Sequence, residues 1–212
     1  FSSKYHLSTY PLWAPAKEKV VIPYGIEQHL FRRKIMSKCP ERNAIYTSNP
    51  MRGLSWLLEK WENKIFPECK NSKLLIYSGF QTYGKFGKKH YKEIQSILSK
   101  AKSLRNKGVI LNEPIERKKL FNKLENSRVF IYKGSKEETF CMALAEAQVL
   151  GTPAVVTNLG CLNERVSNKK KGFVCNSDEE FCINTINLLN DDNLWTRINK
   201  ELKKKKKLFY LD

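Results

Sequence analysis

The chain has 212 residues, 41% of them apolar, so it can hold one large domain or two small ones around a sizeable core. No run of about eighteen apolar residues occurs, which excludes an ordinary membrane-spanning helix. The formal net charge of +18 would attract nucleic acid, anionic lipid or phosphorylated ligands, but its lysines are spread along the whole chain, as an AT-rich genome would also produce.

The first segment, residues 1–37, is polar and aromatic and is interrupted by Pro11 and Pro15. A short strand is predicted at 20–22, because three apolar residues there run into the turn signal Pro23-Tyr24-Gly25. An ordinary strand and turn would account for this segment if it stood alone.

Short apolar strands then alternate with helical patterns, which predicts an α/β fold with a parallel sheet. Strands are predicted at 43–46, 74–77, 109–111, 129–132, 154–157 and 172–174. Helices are predicted at 54–64, 91–104, 116–125, 140–150, 179–189 and 194–207. Residues 85–92 are predicted to form a lysine-rich loop, whose interleaved aromatics are the local hint of nucleic-acid binding.

The stretch 129–156 organises the chain, because it predicts a strand, a loop, a helix and a second strand. In such units the loop and the helix start bind phosphates, since the first amides are unpaired and the helix dipole favours negative charge. Glu138 and Glu146 lie eight residues apart, which at helical geometry is roughly 12 Å and about 80° around the axis. Both carboxylates are therefore expected to border one cleft and to reach both ends of a sugar nucleotide.

The residues from Glu138-Thr139-Phe140-Cys141 to Glu146-Ala147, closed by Gly151-Thr152-Pro153, resemble a known signature. It is the Glu-x7-Glu motif of the retaining GT-B glycosyltransferases of glycosyltransferase family 4, the glycosyl transferases group 1. Residues 21–27 are similar to the family's hinge, with Tyr24 replacing an asparagine, and residues 157–166 to its T-x-x-G-G-x-x-E-x-V loop, with Cys161 replacing the second glycine. The resemblance implies a Rossmann-like parallel sheet flanked by helices, the C-terminal half of a GT-B fold.

The resemblance also implies roles for individual residues. Glu138 would be the catalytic residue that orients the donor sugar, and Glu146 would accept hydrogen bonds from the ribose. Arg52 would grip the donor diphosphate, which a guanidinium can do bidentately. Thr47 occupies the position of the family's other basic residue, so one half of that clamp is missing.

The remaining positions of the donor site follow from the same resemblance. The backbone at Ile115 would face the nucleotide base, and the amides near Cys141 and Met142 would stabilise the leaving diphosphate. Ser135 and Phe140 complete the set of residues expected to contact the donor.

The implied activity is transfer of a sugar from a nucleoside diphosphate sugar to a glycan or lipid-linked acceptor with retention, without a metal or another cofactor. The implied organisation is the tail of an N-terminal domain and a hinge (1–37), the donor-binding domain (38–195), and a crossover helix with a basic tail (196–212). The chain begins with Phe1 and shows no charged-then-apolar leader, so we expect a fragment or a trimmed form. A separate N-terminal GT-B domain would then be needed for activity.

Cysteine usage and the basic tail bear on location. Six cysteines without a C-x-x-C pair favour reduced thiols and a cytoplasmic protein over disulfides or zinc. The lysine run 203–207 reads as a solvated helix end or, alternatively, as a peripheral membrane contact.

Other functions remain open at this point. A basic nucleic-acid-binding module would need clustered rather than dispersed lysines, so no nucleic-acid partner is expected. A non-catalytic donor domain is one alternative within the fold, because Thr47, Tyr24 and Cys161 depart from the commoner pattern. An epimerase-like GT-B domain is another, but it would need further carboxylates and histidines in the cleft, and His6, His29 and His90 are all distant from the central motif in sequence.

Overall fold

The computed structural model describes residues 1–34, 36, 38–166 and 170–208, with the side chains of Thr82 and of residues 205–208 left out. The lysine run 203–207 and the basic tail therefore lie partly outside the described residues. Within those residues a single sheet is formed by the strands β1 (Asn43–Tyr46), β2 (Lys73–Tyr77), β3 (Val109–Asn112), β4 (Val129–Tyr132), β5 (Ala154–Thr157) and β6 (Gly172–Cys175).

The sheet is parallel throughout, with the strand order β3-β2-β1-β4-β5-β6. Its centre is the pairing of β1 with β4, in which Ala44 lies opposite Val129 and Ile45 opposite Phe130. All four residues of β4 are buried, as expected for a strand covered by helices on both faces. The predicted fold class and the strands from residue 43 onwards are confirmed.

Helices cover both faces of this sheet and also flank it at the chain start. They are α1 (Lys4–Ser8), α2 (Gln28–Arg32), α3 (Leu54–Lys60), α4 (Phe66–Glu68), α5 (Gly84–Lys89), α6 (Tyr91–Ser103), α7 (Arg117–Glu125), α8 (Met142–Val149), α9 (Leu162–Arg165), α10 (Asp178–Asn190) and α11 (Asp192–Leu208).

Two helical predictions need correction. The helix predicted at 54–64 continues through a π-helical stretch, Trp61–Ile65, into α4, and the indole of Trp61 donates to the Lys107 carbonyl at 2.8 Å. The loop predicted at 85–92 is wrong, because α5 occupies most of it. Ring contacts support that helix: Phe86 stacks on His90 with centroids 4.4 Å apart.

The strand predicted at 20–22 is also wrong. Val20 and Ile22 each form a backbone hydrogen bond with the chain start: the Phe1 amine donates to the Val20 carbonyl and the Ile22 amide to the Phe1 carbonyl. Ile22 is 71% exposed, and none of the described strands pairs with the segment. Apolar residues alone therefore did not produce a strand there.

The order of the strands creates a crevice at the centre of the sheet. From β1 the chain moves outward to β2 and β3, returns to β4, and then moves outward in the opposite direction to β5 and β6. The loops that leave the carboxyl ends of β1 and β4 therefore diverge. In open α/β sheets, ligands bind in the crevice at such a switch point.

Candidate functional site

A buried carboxylate lies at this switch point, held by residues from both central strands. Nη1 of Arg52, in the loop after β1, donates to Oε2 of Glu138, in the loop after β4, at 2.8 Å. The hydroxyl of Tyr132, the last residue of β4, donates to the same oxygen at 2.6 Å. The Glu138 side chain is 9% exposed and that of Arg52 43%, so the guanidinium remains accessible from the crevice.

The protonation of both donors suits this arrangement. Burial lowers the pKa of Arg52, but the charges and hydrogen bonds of Glu138 and Tyr132 together outweigh that effect, and the pKa is raised overall. Burial, with smaller contributions from Cys141 and Glu138, raises the pKa of Tyr132. Arg52 therefore remains a cation and Tyr132 remains a hydrogen-bond donor at physiological pH.

Two glycines allow the loops to come this close. Gly53 has a φ of +84°, and a Cβ on it would lie 2.6 Å from the Cβ of Lys133, in the loop after β4. Gly160 has a φ of +57°, and a Cβ there would lie 2.5 Å from the Glu138 carbonyl, which also accepts a hydrogen bond from the Cys161 amide at 2.9 Å. Any larger residue at either position would displace the loop that carries Glu138.

Two hydroxyls at the ends of the central strands are available to a ligand. Thr47 directly follows β1, and Ser135 lies in the loop after β4. The Oγ1 of Thr47 and the Oγ of Ser135 are buried and form no hydrogen bond of normal geometry among the described residues, although the Glu137 backbone amide, together with the Ser135 hydroxyl, lowers the pKa of the nearby Glu137 carboxyl. Because buried polar atoms are normally paired, both are suited to contact a polar ligand, although neither replaces the missing positive charge.

The helix of the central unit begins later than the sequence predicted. α8 begins at Met142 rather than at Phe140, because Cys141 has the left-handed conformation, with a φ of +60°. Glu138 therefore lies in a loop outside the helix, and the helical estimate of its position relative to Glu146 was wrong. The first-turn amides of α8 still lack intrahelical partners, and the helix begins in the segment that follows the carboxyl end of β4.

Phe140 packs against Arg165 and Tyr24, two positions after Glu138 in the same loop. Its ring is buried, with the Arg165 guanidinium 3.8 Å from the ring centroid and the Tyr24 ring edge-on at 5.2 Å. The Ser2 hydroxyl also donates to the neighbouring Thr139 carbonyl at 3.0 Å. The first segment of the chain thus packs directly on the loop that carries Glu138.

Glu146 lies on α8 and is tied to two other elements. An Arg117 Nη2 donates to its Oε1, and the Arg117 Nε lies 3.2 Å from Oε1 of Glu27, just before α2. The Glu146 side chain is 7% exposed. Burial raises the pKa of Glu146, and the hydrogen bond and charge of Arg117 oppose that increase without cancelling it.

Ile115 lies in the loop between β3 and α7. It lines a groove of about 600 Å³ together with Tyr77, Asn112 and Lys119. Arg117, two residues further along, connects this loop to Glu146. The structure thus joins Arg52 to Glu138 and the Ile115 loop to Glu146, in two separate groups of contacts.

Sequence reasoning missed two of these contacts. Tyr132 was read only as a strand residue and Arg117 only as a helix residue. Tyr132 carried a signal, because a hydroxyl at the carboxyl end of a buried central strand points to a polar partner. Arg117 carried none, since its partner is 29 positions away in sequence.

Metal ligands, long apolar helices and cysteine pairing bear on cofactor and membrane chemistry. In the described part of the chain, no three His, Cys, Asp or Glu side chains are grouped closely enough to hold a metal ion. No described helix has both the length and the apolar character needed to cross a membrane. All six cysteines are described, and each is a free thiol.

A family model described as glycosyl transferases group 1 matches residues 43–191. No match was found among curated protein sequences. Several solved structures are similar, and their low identities make these likenesses evidence for the fold alone.

Sucrose-phosphate synthase from Thermosynechococcus elongatus has a TM-score of 0.75 and 16% identity over 98% of this chain and 52% of its own. Anabaena HepE, solved with UDP and glucose, has a TM-score of 0.68 and 12% identity over 89% of this chain and 52% of its own. A variant of TarM from S. aureus, solved with UDP, fondaparinux and alpha-GlcNAc-glycerol, has a TM-score of 0.60 and 17% identity over 81% of this chain and 34% of its own.

The chain therefore spans between a third and about half of these three proteins. The shared architecture is the open parallel sheet of the C-terminal, Rossmann-like half of GT-B proteins.

Proposed function

The chain belongs to the glycosyl transferases group 1 family, and from this premise we propose that it is the donor-binding half of a retaining enzyme of glycosyltransferase family 4. It binds a nucleoside diphosphate sugar, and the complete enzyme transfers that sugar to a glycan or lipid-linked acceptor.

The observation that carries this proposal is the contact of Arg52 with Glu138 at the switch point. When the bond to the sugar breaks, the leaving diphosphate gains negative charge. The Arg52 guanidinium and the first-turn amides of α8 supply positive potential at this position. In this proposal Glu138, beside the cation, accepts hydrogen bonds from the donor sugar.

Glu146 serves the other end of the donor in this proposal. A carboxylate can accept hydrogen bonds from both ribose hydroxyls, and each charge-assisted bond is worth about 1.5 to 3 kcal/mol. The Ile115 loop, connected to Glu146 through Arg117, would then lie against the base. The two parts of the site thus correspond to the two ends of one ligand.

The solved relatives support a nucleotide ligand. HepE was solved with UDP and glucose, and a TarM variant with UDP. We therefore propose UDP as the first nucleotide to test, with GDP and ADP, which carry other bases, as the competing nucleotides. Because Arg52 and the α8 amides provide the electrophilic assistance, we further propose that transfer needs no metal ion, so that activity of the complete enzyme withstands a chelator.

We propose an N-terminal GT-B domain as the partner that completes the cleft and provides the acceptor site. Residues 1–37 would then be its tail and the hinge, followed by the donor domain at 38–195 and the crossover helix and basic tail at 196–212. The contacts of the first segment with the Glu138 loop support this arrangement. A cytoplasmic location, possible contact of the enzyme with a membrane surface and the absence of a nucleic-acid partner complete the proposal.

Calorimetry on the purified chain tests donor binding. UDP, GDP and ADP are titrated separately at low and at moderate salt. We expect saturable binding of one nucleotide with mild salt dependence, and a tenfold to hundredfold weaker affinity, roughly, for Glu146→Ala. Glu62→Ala is the matched control, because Glu62 pairs with Lys100 and Lys107. These contacts lie near the amino end of β3, whereas the candidate site lies at the carboxyl ends of the strands.

Two results would overturn the proposal. Equal affinity of the wild type and Glu146→Ala would remove Glu146 from the site. Binding of every polyanion alike, with a steep loss on adding salt, would instead indicate a general polyanion surface.

A further inference from the structure

Three charged side chains from separate elements meet beside the candidate ribose position. Glu27 lies just before α2, Arg117 begins α7, and Glu146 lies within α8. Arg117 bridges the other two: its Nη2 donates to Glu146, and its Nε lies 3.2 Å from Glu27. One guanidinium thus links the first segment of the chain to the donor domain.

The ends of this bridge differ in burial. Glu146 is 7% exposed, whereas Arg117 is 51% and Glu27 41% exposed. An exposed pair such as Glu27 with Arg117 contributes little stability, but a buried carboxylate depends on its partner. Of the two carboxylates, the charged form of Glu146 therefore depends more on Arg117 than that of Glu27 does.

Arg117 is itself held in place by packing. Its guanidinium lies 5.7 Å from the ring centroid of Phe121, which is fully buried one turn along α7. The His29 ring, on α2, lies 5.8 Å from the same ring, and His29 also contacts Glu27 at 3.1 Å. The guanidinium thus has an anchored ring beside it as well as the two carboxylates.

The charged groups that face Glu146 come from two of the elements packed against α8. α7 contributes Arg117, and the first segment contributes Glu27 with His29 behind it. From α11, Asn199 donates to the Gly151 carbonyl at the end of α8 and carries no charge. Arg117 is the cation in direct contact with the carboxylate.

We propose that Arg117 is a positioning residue of the nucleotide site, which holds the Glu146 carboxylate ionised and correctly directed for the ribose, with Glu27 bracing it from the first segment. This inference rests on the proposed role of Glu146 in donor binding. Arg117 acts through Glu146 and needs no contact of its own with the ligand.

Charge and burial give this arrangement a distinctive signature. Burial already raises the pKa of Glu146, the charge of Glu27 adds slightly to that increase, and Arg117 opposes it. Removing Arg117 therefore raises that pKa further. Since a ribose-binding carboxylate must be ionised, nucleotide affinity falls as the pH drops through the pKa, and the variant loses affinity at a higher pH than the wild type.

The experiment compares Arg117→Gln with Lys118→Gln, which removes the same charge from the neighbouring exposed position of α7. Arg117→Lys keeps the charge. The titration midpoint of Glu146 is measured by carbon NMR of the side-chain carboxyl, and nucleotide affinity by calorimetry across the same pH range. Thermal unfolding of each variant establishes that it is folded.

We expect the Glu146 midpoint and the affinity profile to move to higher pH together in Arg117→Gln, with about tenfold weaker binding at neutral pH. In Arg117→Lys, which keeps the charge, the midpoint should stay close to the wild-type value, and in Lys118→Gln it should equal that value. Equal midpoints in Arg117→Gln and Lys118→Gln would overturn the inference even if both bind nucleotide. Failure of the wild type to bind any nucleotide would count against the proposed function, while the NMR midpoints would still decide whether Arg117 holds Glu146 ionised.

Discussion

Arg52 and Glu138 meet across the crevice between β1 and β4, with 2.8 Å between the guanidinium Nη1 and the carboxylate Oε2. One residue comes from each side of the switch point, so this pair closes the base of the crevice. Arg52 has further N–H groups, and its side chain is only partly buried. It can therefore hold Glu138 and a diphosphate oxygen at the same time.

Replacement of Arg52 by glutamine is expected to weaken binding of the nucleoside diphosphate by roughly tenfold to a hundredfold, the value of one charge-assisted hydrogen bond. The corresponding nucleoside, which lacks phosphate, should bind both proteins equally. Calorimetry with the two ligands measures the difference. Arg42→Gln is the control, since Arg42 is exposed and directly precedes β1 at the other edge of the sheet. An equal loss for nucleoside and diphosphate would show that Arg52 acts on the fold instead of on phosphate.

Tyr132 offers a separate test of Glu138. Its hydroxyl donates to Glu138 at 2.6 Å. In Tyr132→Phe the Glu138 carboxylate keeps its contact with Arg52 but loses this hydrogen bond, so the carboxylate can rotate. We expect the sugar nucleotide to bind about tenfold more weakly, while the nucleoside diphosphate is unaffected, because Glu138 is proposed to contact only the sugar.

Tyr46→Phe is the matched control for that experiment. Tyr46 ends the adjacent strand β1, is equally buried, and donates to the Asn49 carbonyl at 2.6 Å, with the Arg52 carbonyl at 3.3 Å. Its loss should cost stability, and any shift of the Arg52 backbone should affect both ligands alike because both carry the diphosphate, so the ratio of the two affinities should not change. The same ratio in both variants would remove Tyr132 from the recognition of the sugar.

The sheet could be predicted from sequence because its signals are local. The strand 129–132 consists of apolar and aromatic residues that are all buried, and the turn at Gly151 and Pro153 separates α8 from the next strand. Such patterns depend on neighbours in the chain. The same dependence on local pattern explains why the strand predicted at 20–22 was wrong. A strand also needs a partner strand, which a local pattern does not reveal.

The site was only partly predictable, because its contacts join distant parts of the chain. Arg52 lies 86 positions from Glu138, and only the resemblance to a family brought them together in advance. The link from Arg117 to Glu146 has no counterpart in any motif quoted from the sequence. The start of α8 was misjudged because Cys141 gives no sequence signal that its backbone is left-handed.

Glu146 is expected to reduce stability at neutral pH while it serves binding. Its pKa is raised by burial, against the effect of Arg117, so the folded state holds the proton more strongly than the unfolded state does. Stability therefore decreases as the pH rises from below the unfolded pKa to above the folded one. Glu146→Gln, which is neutral and similar in size, should be more stable than the wild type at pH 7 and should bind nucleotide less well.

Urea unfolding at pH 7 and at pH 4 measures this difference. The advantage of Glu146→Gln should shrink at pH 4, where the wild-type carboxyl is largely protonated in both states. Glu62→Gln provides the contrast, because Lys100 and Lys107 lower the pKa of Glu62 and the sign of its pH dependence is reversed. A constant advantage for Glu146→Gln at both pH values would contradict the role of its charge.

Cys141 gives the final prediction, which concerns the backbone beside the site. It is the non-glycine residue with a positive φ in the described part of the chain, and this conformation costs an L-residue about 1 to 2 kcal/mol. Cys141→Gly and Cys141→Ala both remove the buried thiol, but only alanine retains the strain. We therefore expect the glycine variant to be the more stable of the two, by about 1 kcal/mol in the free energy of unfolding.

Cys161 reverses this expectation and so controls for the loss of a buried thiol. It is also buried, but its φ is −83°, which any residue adopts. There the alanine variant should be more stable than the glycine variant by about 0.5 to 1 kcal/mol, because glycine loses more backbone freedom on folding. The opposite order at the two positions, measured by urea unfolding of all four variants, would establish that strain is stored at the start of α8. The same order at both positions would show that Cys141 carries none.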